Sequence, residues 1–435
     1  MASAGRQLMA SLLLALGVAG VAGVHANDTG DNSPSSLRLS GFGTLGLSHT
    51  RSDHDWLLAR EQTQVGASSA SSALVDSRLG LQLNWAPAER WDTALQLVLR
   101  QRAKDASLGE AVEWAFVGYQ ISADWHLRLG RTSPDVFLQA DLRNVGYALP
   151  WVRPNIEFYG WMPINSLDGA DLSHIWHTEH ADWTAKVQLG NGLNTIQALR
   201  IDDSLRIRNR NTAVLTLSRE AGHWLIKASY ARADIHVKPN ANLRLLQQAL
   251  QQITALPVPS VAQQAQNLSD DLYPQGLTQY ASLGLQYQSS TWFGSAEASH
   301  VHLASGLSAG WRGYASLGRR WQRLSAYLIA GRSQADKMPN AAPLNWQAEL
   351  TPVIGAPNAA MATGLGTLAA EAANTARFEQ SSIGLGLRYD FAPRMALKLQ
   401  VDQVNTQANG AGSWRHNTSE SGSSQIYSAT LDFVF

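Results

Sequence analysis

Apolar and polar side chains alternate with a period of two along most of the chain from Leu37 onward. That period sends successive side chains to opposite faces of an extended strand, whereas a helix repeats every 3.6 residues. Leu79, Leu81, Leu83 and Trp85 interleave with Arg78, Gly80, Gln82 and Asn84. Trp91, Leu95, Leu97 and Leu99 interleave with Asp92, Ala94, Gln96 and Arg100, and Trp183, Ala185, Val187 and Leu189 with Asp182, Thr184, Lys186 and Gln188. The first half predicts strands at 37–48, 77–86, 91–101, 110–120, 123–131, 171–180, 182–190 and 212–219. The second half predicts strands at 222–233, 278–288, 291–302, 310–319, 321–332, 379–389, 394–406 and 424–435, sixteen in all.

The connections alternate between short and long. Ala86–Arg90, Arg219–Gly222 and Asp390–Pro393 are tight turns, while the intervening segments are long enough to form large loops. Transmembrane antiparallel β-barrels of outer membranes have this asymmetry, with short periplasmic turns and long extracellular loops. Trp85, Trp91, Trp125, Trp183, Trp224, Trp292 and Trp321 all fall near the short turns. Amphipathic rings are stabilised at a headgroup boundary, so one level of tryptophan is expected of an aromatic girdle. Hydrocarbon offers no hydrogen-bond partner, so spanning strands must close on themselves, and sixteen leave an aqueous lumen. One segment departs from the strand period: Leu243, Leu246, Leu250 and Ile253 follow a three-four spacing between Asn240 and Pro257. They predict a short helix packed over the barrel mouth.

The N-terminus reads differently from the rest. Arg6, the apolar run Leu8–Gly23 and the small-residue site Val24-His25-Ala26 predict a signal peptide over 1–26, leaving 27–435 as the barrel. Lys and Arg total 34 and Asp and Glu total 34, so charge gives no reason to expect nucleic acid as a partner. The chain has no cysteine, which fits an oxidising exterior.

The last strand ends Tyr427, Ala429, Leu431, Phe433 and Phe435, an alternating apolar face finishing on phenylalanine. It is similar to the terminal assembly signal of outer-membrane β-barrels. With the opening strand Leu39-Ser40-Gly41-Phe42-Gly43-Thr44-Leu45-Gly46, the chain resembles the Gram-negative porin superfamily. The resemblance implies a place in the cell outer membrane among its lipids, a homotrimer, and recognition of the terminal strand by the barrel assembly machinery. It also implies that the segment after the fifth strand, 132–170, folds inward and narrows the lumen. The family's common acidic-glycine motif is absent there, so this constriction is implied by topology alone.

If the apolar residues face lipid, the lumen carries Arg38, Arg78, Arg100, Arg128, Lys186, Lys227, Arg312, Arg388 and Lys398, against Asp92, Glu113, Glu297 and Asp402. This excess of base suggests an anion-leaning channel, since rings of charge set pore selectivity, unless rim solvation or acidic loop residues offset it. The candidate constriction loop holds Asp135, Asp141, Glu157 and Asp168 beside Arg143 and Arg153. Trp151, Phe158, Tyr159 and Trp161 lie between them, to stack on a solute or to pack the loop on the wall. His174, His177 and His180 do not converge in a strand, and Asp53-His54-Asp55 reads as a solvated cluster, so no metal or other cofactor is implied. Ser299, His300 and His302 lack an evident base and orienting carboxylate, so the chain is not read as a barrel enzyme. The leading function is passive diffusion of small polar solutes. The rival is a porin selective for small organic acids, sugars or phosphate, and an adhesin with a filled lumen is a further class.

Overall fold

The computed structural model describes residues 36–435 except 55, 199–202, 274, 412–413 and 416–418. The expected signal segment, 1–26, lies outside the described residues. Sixteen long antiparallel strands close into one barrel. They are β1 (Ser36–Ser52), β2 (Arg78–Ala88), β3 (Trp91–Arg100), β4 (Val112–Gln120), β5 (Trp125–Thr132), β6 (Leu167–His177), β7 (Asp182–Ala198) and β8 (Asp203–Ala221). The second half runs β9 (Trp224–Lys238), β10 (Gly276–Gln288), β11 (Trp292–Leu303), β12 (Gly310–Trp321), β13 (Leu324–Ala335), β14 (Phe378–Ala392), β15 (Met395–Ala411) and β16 (Gly422–Val434). Each strand pairs with its sequence neighbours, and β1 pairs with β16 from Phe42 opposite Val434 to Ser52 opposite Ser424, so the sheet has no edge over the membrane.

All sixteen expected strands are present, and the seventh and eighth are far longer than expected. The alternation was read as ending at 190 and resuming at 212, whereas β7 and β8 run on as a hairpin. The register jumps between Asn209 and Thr212 against β7 and between Arg210 and Ala213 against β9, with Asn211 at φ 49°. Such a bulge adds one residue and swaps which parity faces inward. Thr212, Val214 and Thr216 are buried below it, and Leu205, Ile207 and Asn209 above it. The phase change broke the pattern in the sequence without breaking the strand.

The outer wall is apolar and the tryptophans mark its lower rim. Trp85, Trp91, Trp125, Trp224, Trp292 and Trp321 are all exposed beside the short turns, and Trp183 is half-buried. Trp91 contacts Tyr119 with ring centres 4.7 Å apart, Trp125 stacks on His174 at 4.2 Å, and Trp224 meets Tyr287 at 4.7 Å. These pairs form the girdle.

At the opposite end, four helices roof the barrel. Helix α1 (Ala241–Thr254) is the expected one: Asn240 caps it by accepting from Leu243 N at 2.8 Å, and Leu243, Leu246, Leu250 and Ile253 are buried. Helices α2 (Pro259–Asp271), α3 (Trp346–Ile354) and α4 (Ala356–Asn374) were not anticipated. The four share one apolar cluster with Leu205, Ile207, Ala233, Ile235 and Val237 on the inner faces of β8 and β9. Above the bulge the wall is thus apolar inside and polar outside.

Candidate channel constriction

The segment between β5 and β6, residues 133–166, folds into the lumen. Most of it is buried, and its contacts span the circumference. Asp135 pairs with Lys186 of β7 at 2.8 Å and with Lys227 of β9. Leu138 N donates to Glu297 of β11 at 2.8 Å, and Tyr159 and Tyr314 donate to the other oxygen of that carboxylate. Glu157 accepts from Gln380 of β14 at 2.6 Å and from Ser382 at 2.8 Å. Phe158 meets Phe137 and Tyr159 edge to face, and Phe158 and Tyr159 pack at a tilt on Tyr314 of the wall, so these aromatics serve to seat the loop.

Arg153 is the central anchor. It reaches Asp76 through two hydrogen bonds at 2.9 and 2.6 Å, Asp402 of β15 at 3.3 Å and Ser428 of β16 at 2.6 Å. Burial alone would lower its pKa, and the Asp76 carboxylate overrides that and raises it. A bidentate, fully buried pair of this kind fixes geometry in a way that a point charge does not. Asp76 and its neighbours Arg60 and Glu61 belong to the first long loop, 53–77, which therefore also enters the lumen.

The close seat of the loop on β1 and β16 depends on Gly146. A Cβ there would stand 2.1 Å from Asp432 Oδ1 and 2.3 Å from Thr44 Oγ1. Its carbonyl accepts from Lys398 Nζ at 2.7 Å, and the same ammonium reaches Trp151 O at 2.9 Å and Asp432 at 3.0 Å. Arg388 donates to the carbonyls of Tyr147 and Leu149 at 2.8 and 2.9 Å and pairs with Asp390.

Of the nine wall bases, all but Arg38 are buried or half-buried, and most of these are paired. Arg100 contacts Glu61, with Glu113 at 3.9 Å, and Arg128 binds Asp171 at 2.9 Å. Arg78 donates to Asn144 at 3.2 Å, and Glu113 is approached by Arg143 at 3.4 Å. Arg38 is exposed at the strand end, and Asp92 accepts from or shares a proton with His126 at 2.8 Å. Asp141 is half-buried with no ion pair among the described residues. Arg312 has no carboxylate within ion-pair distance among the described residues; it lies 3.9 Å from the Trp161 ring centre and donates to Ser308 O at 2.8 Å. Asp168 corrects an expectation: it sits on β6, exposed, paired with Arg131 at 2.6 Å, because the loop ends before β6 begins at Leu167. The carboxylates that balance the wall come from residues the alternation reading left out: Glu61, Asp76, Asp135, Asp171 and Asp432. Asp432 was accessible to that reading, since its neighbours Leu431 and Phe433 face outward. Asp135 was expected with the inward segment 132–170, whereas Glu61 and Asp76 were not accessible, because nothing local marks the first long loop as turning inward.

Above the loop lies a chamber of about 170 Å³ whose lining includes Val136, Trp161, Ile207, Tyr280, Val301 and Leu303. At its side the buried Trp161 Nε1 and Arg312 Nε find no hydrogen-bond partner among the described residues. Ser299 stands directly across from Arg312, and the Trp161 and Tyr280 rings stack at 6.1 Å.

No protein-family model and no curated protein matches the sequence. Solved structures that it resembles include Salmonella typhi OmpF in complex with daunomycin, at 12% identity and TM-score 0.49, covering 92% of this chain and 97% of that one. An anion-selective porin from Comamonas acidovorans is 12% identical with TM-score 0.46, over 92% and 100%. Pseudomonas putida OprB is 8% identical with TM-score 0.46, over 92% and 94%. Sixteen antiparallel strands closed into one barrel are the fold that the sequence resemblance implied.

Proposed function

We propose that the protein is an outer-membrane channel for small polar solutes, exported by its N-terminal segment and assembled through its C-terminal strand, as a homotrimer. The observation that carries this is the closed barrel whose lumen is crossed by an inward loop held by Arg153, Asp76 and Asp402. Because most wall bases are met by carboxylates, the channel is expected to distinguish chloride from potassium only weakly, so the anion preference suggested by base counting shrinks. Planar-bilayer recording tests both parts. Stepwise conductance with a reversal potential near zero in a salt gradient supports the reading, and absence of channels from folded protein overturns it.

A second reading, a channel selective for small organic acids, is favoured by the apolar chamber with an unpartnered donor at Trp161 and another at Arg312 beside it. A buried donor left unsatisfied costs about 1 to 3 kcal/mol, and a solute carboxylate over an apolar body relieves it. Saturable block of single channels by benzoate, relieved in Arg312→Gln, supports this reading. Block by benzyl alcohol at equal concentration counts against it.

A further inference from the structure

The bulge that swaps the faces of β8 turns Arg206, Arg208 and Arg210 outward, and on β9 Arg232, His236 and Lys238 share that exterior. Arg206 stands directly opposite Lys238, and Arg208 opposite His236. Like charges facing each other across strands destabilise a sheet unless something neutralises them. Among the described residues nothing does: none of the six side chains has a hydrogen bond or ion pair there. The carboxylate across from Arg210, Asp234, accepts from Asn211 at 3.2 Å, and Glu110 beside β7 is engaged by Thr195 N and Oγ1 at 2.9 and 2.8 Å. The neighbouring strands present Thr195 and Leu193 beside Arg206 and Arg208, and Gln279 beside Arg232.

Height selects the partner. On the same outer face, Trp224, Ile226 and Tyr230 of β9 and Leu217 and Leu215 of β8 are exposed to lipid. At roughly 3.3 Å per residue and a strand tilt of about 40°, Arg232 lies about 20 Å above Trp224 and Lys238 about 35 Å above it. The apolar band of such barrels is about 25 Å tall, so the six bases begin at its upper margin and continue into the headgroup layer. The geometry points to a binding surface for the phosphate-bearing headgroups of outer-leaflet lipid. Arginine suits phosphate oxygens through paired N–H groups, and the chain's inner wall at this height is apolar, so these charges serve no solute inside.

The test uses the full-length protein folded in phosphatidylcholine vesicles with and without lipopolysaccharide. It compares wild type with the variant Arg206→Gln, Arg208→Gln, Arg210→Gln, Lys238→Gln. Wild type is expected to bind fluorescently labelled lipopolysaccharide at least about tenfold more tightly than the variant at low salt, with the difference narrowing at high salt. Unitary conductance should be equal in the two proteins, which reports that the variant is folded and keeps the outcome independent of what the channel carries. Equal lipid binding by the variant overturns the proposal. Competition by inorganic phosphate at the same phosphorus concentration overturns the lipid assignment, and dissociation of an oligomer in the variant shows a subunit contact in its place.

Discussion

Gly41 and Phe435 exchange both backbone hydrogen bonds, at 3.0 and 2.9 Å, and the phenyl ring lies over the glycine where a Cβ would stand 2.2 Å from ring Cζ. Phe433 covers Gly43 in the same way, with Cζ 2.3 Å from that glycine's missing Cβ. The glycines of the opening strand are the beds for the rings of the last one. Gly41→Val is expected to cost about 1 to 3 kcal/mol by overpacking. It should lower the temperature at which the barrel loses its compact, heat-sensitive band on unheated gels. Deleting Phe435 removes the pair and should reduce assembled protein in the outer-membrane fraction while export continues; full assembly of the truncated chain counts against this closure.

Arg153→Ala leaves Asp402 buried without its cation and Asp76 with only Arg60, at 3.8 Å. Removing one partner from such a group costs about 3 to 5 kcal/mol, more than the pair itself contributes. Thermal unfolding should show this loss, and single channels should show a larger, noisier conductance as the loop detaches. Combining it with Asp76→Asn should recover part of the stability, because the two changes act on one interaction. Strict additivity in that cycle would place the loop's anchor elsewhere.

Gly146→Val tests the seat of the loop without altering any charge. The added side chain meets Asp432 and Thr44, so the backbone must rise off β1 and β16 and lengthen the Lys398 contacts. Conductance is expected to change at constant ion selectivity. An unchanged single-channel step would show that this part of the loop lies away from the conducting route.

Glu61 supplies a pH signature. Burial would raise its pKa, but Arg100 and Arg60 beside it override this and hold it at about 2. The folded-state value lies below the unfolded one, so the stabilisation is complete above the ordinary carboxylate range, about 4.5, and is lost as pH falls toward 2. Thermal stability of wild type should therefore drop across that window, and Glu61→Gln should be less stable at neutral pH with a flatter acid profile. Parallel profiles would remove Glu61 from the account.

Strand positions were legible in the residues because each two-faced strand carries its own period, as Leu79–Trp85 shows, and the helix over Leu243–Ile253 announced itself by a change of period. The bulge at Asn211 was not legible, since one inserted residue looks like the end of a pattern. Nor was the partner of any lumen base: Arg153 meets Asp402 across 249 positions of sequence, and no local signal marks a pairing that only closure creates. The α4 helix was missed because its alanine-rich faces carry little contrast between sides.

The anchor of the inward loop also implies an order of events. Its three charged members come from a segment before β2, the segment after β5, and β15, and the serine that completes it lies on β16. Contacts of such sequence separation form late, because the entropy of closing large loops must be met before they contribute. Until the final two strands arrive, Arg153 lacks Asp402 and Ser428, and the nascent sheet holds a tethered but unlatched segment. The last hairpin to join the barrel is thus also the catch that sets the aperture, so a chain stalled short of it would present a wider, leakier opening than the finished channel.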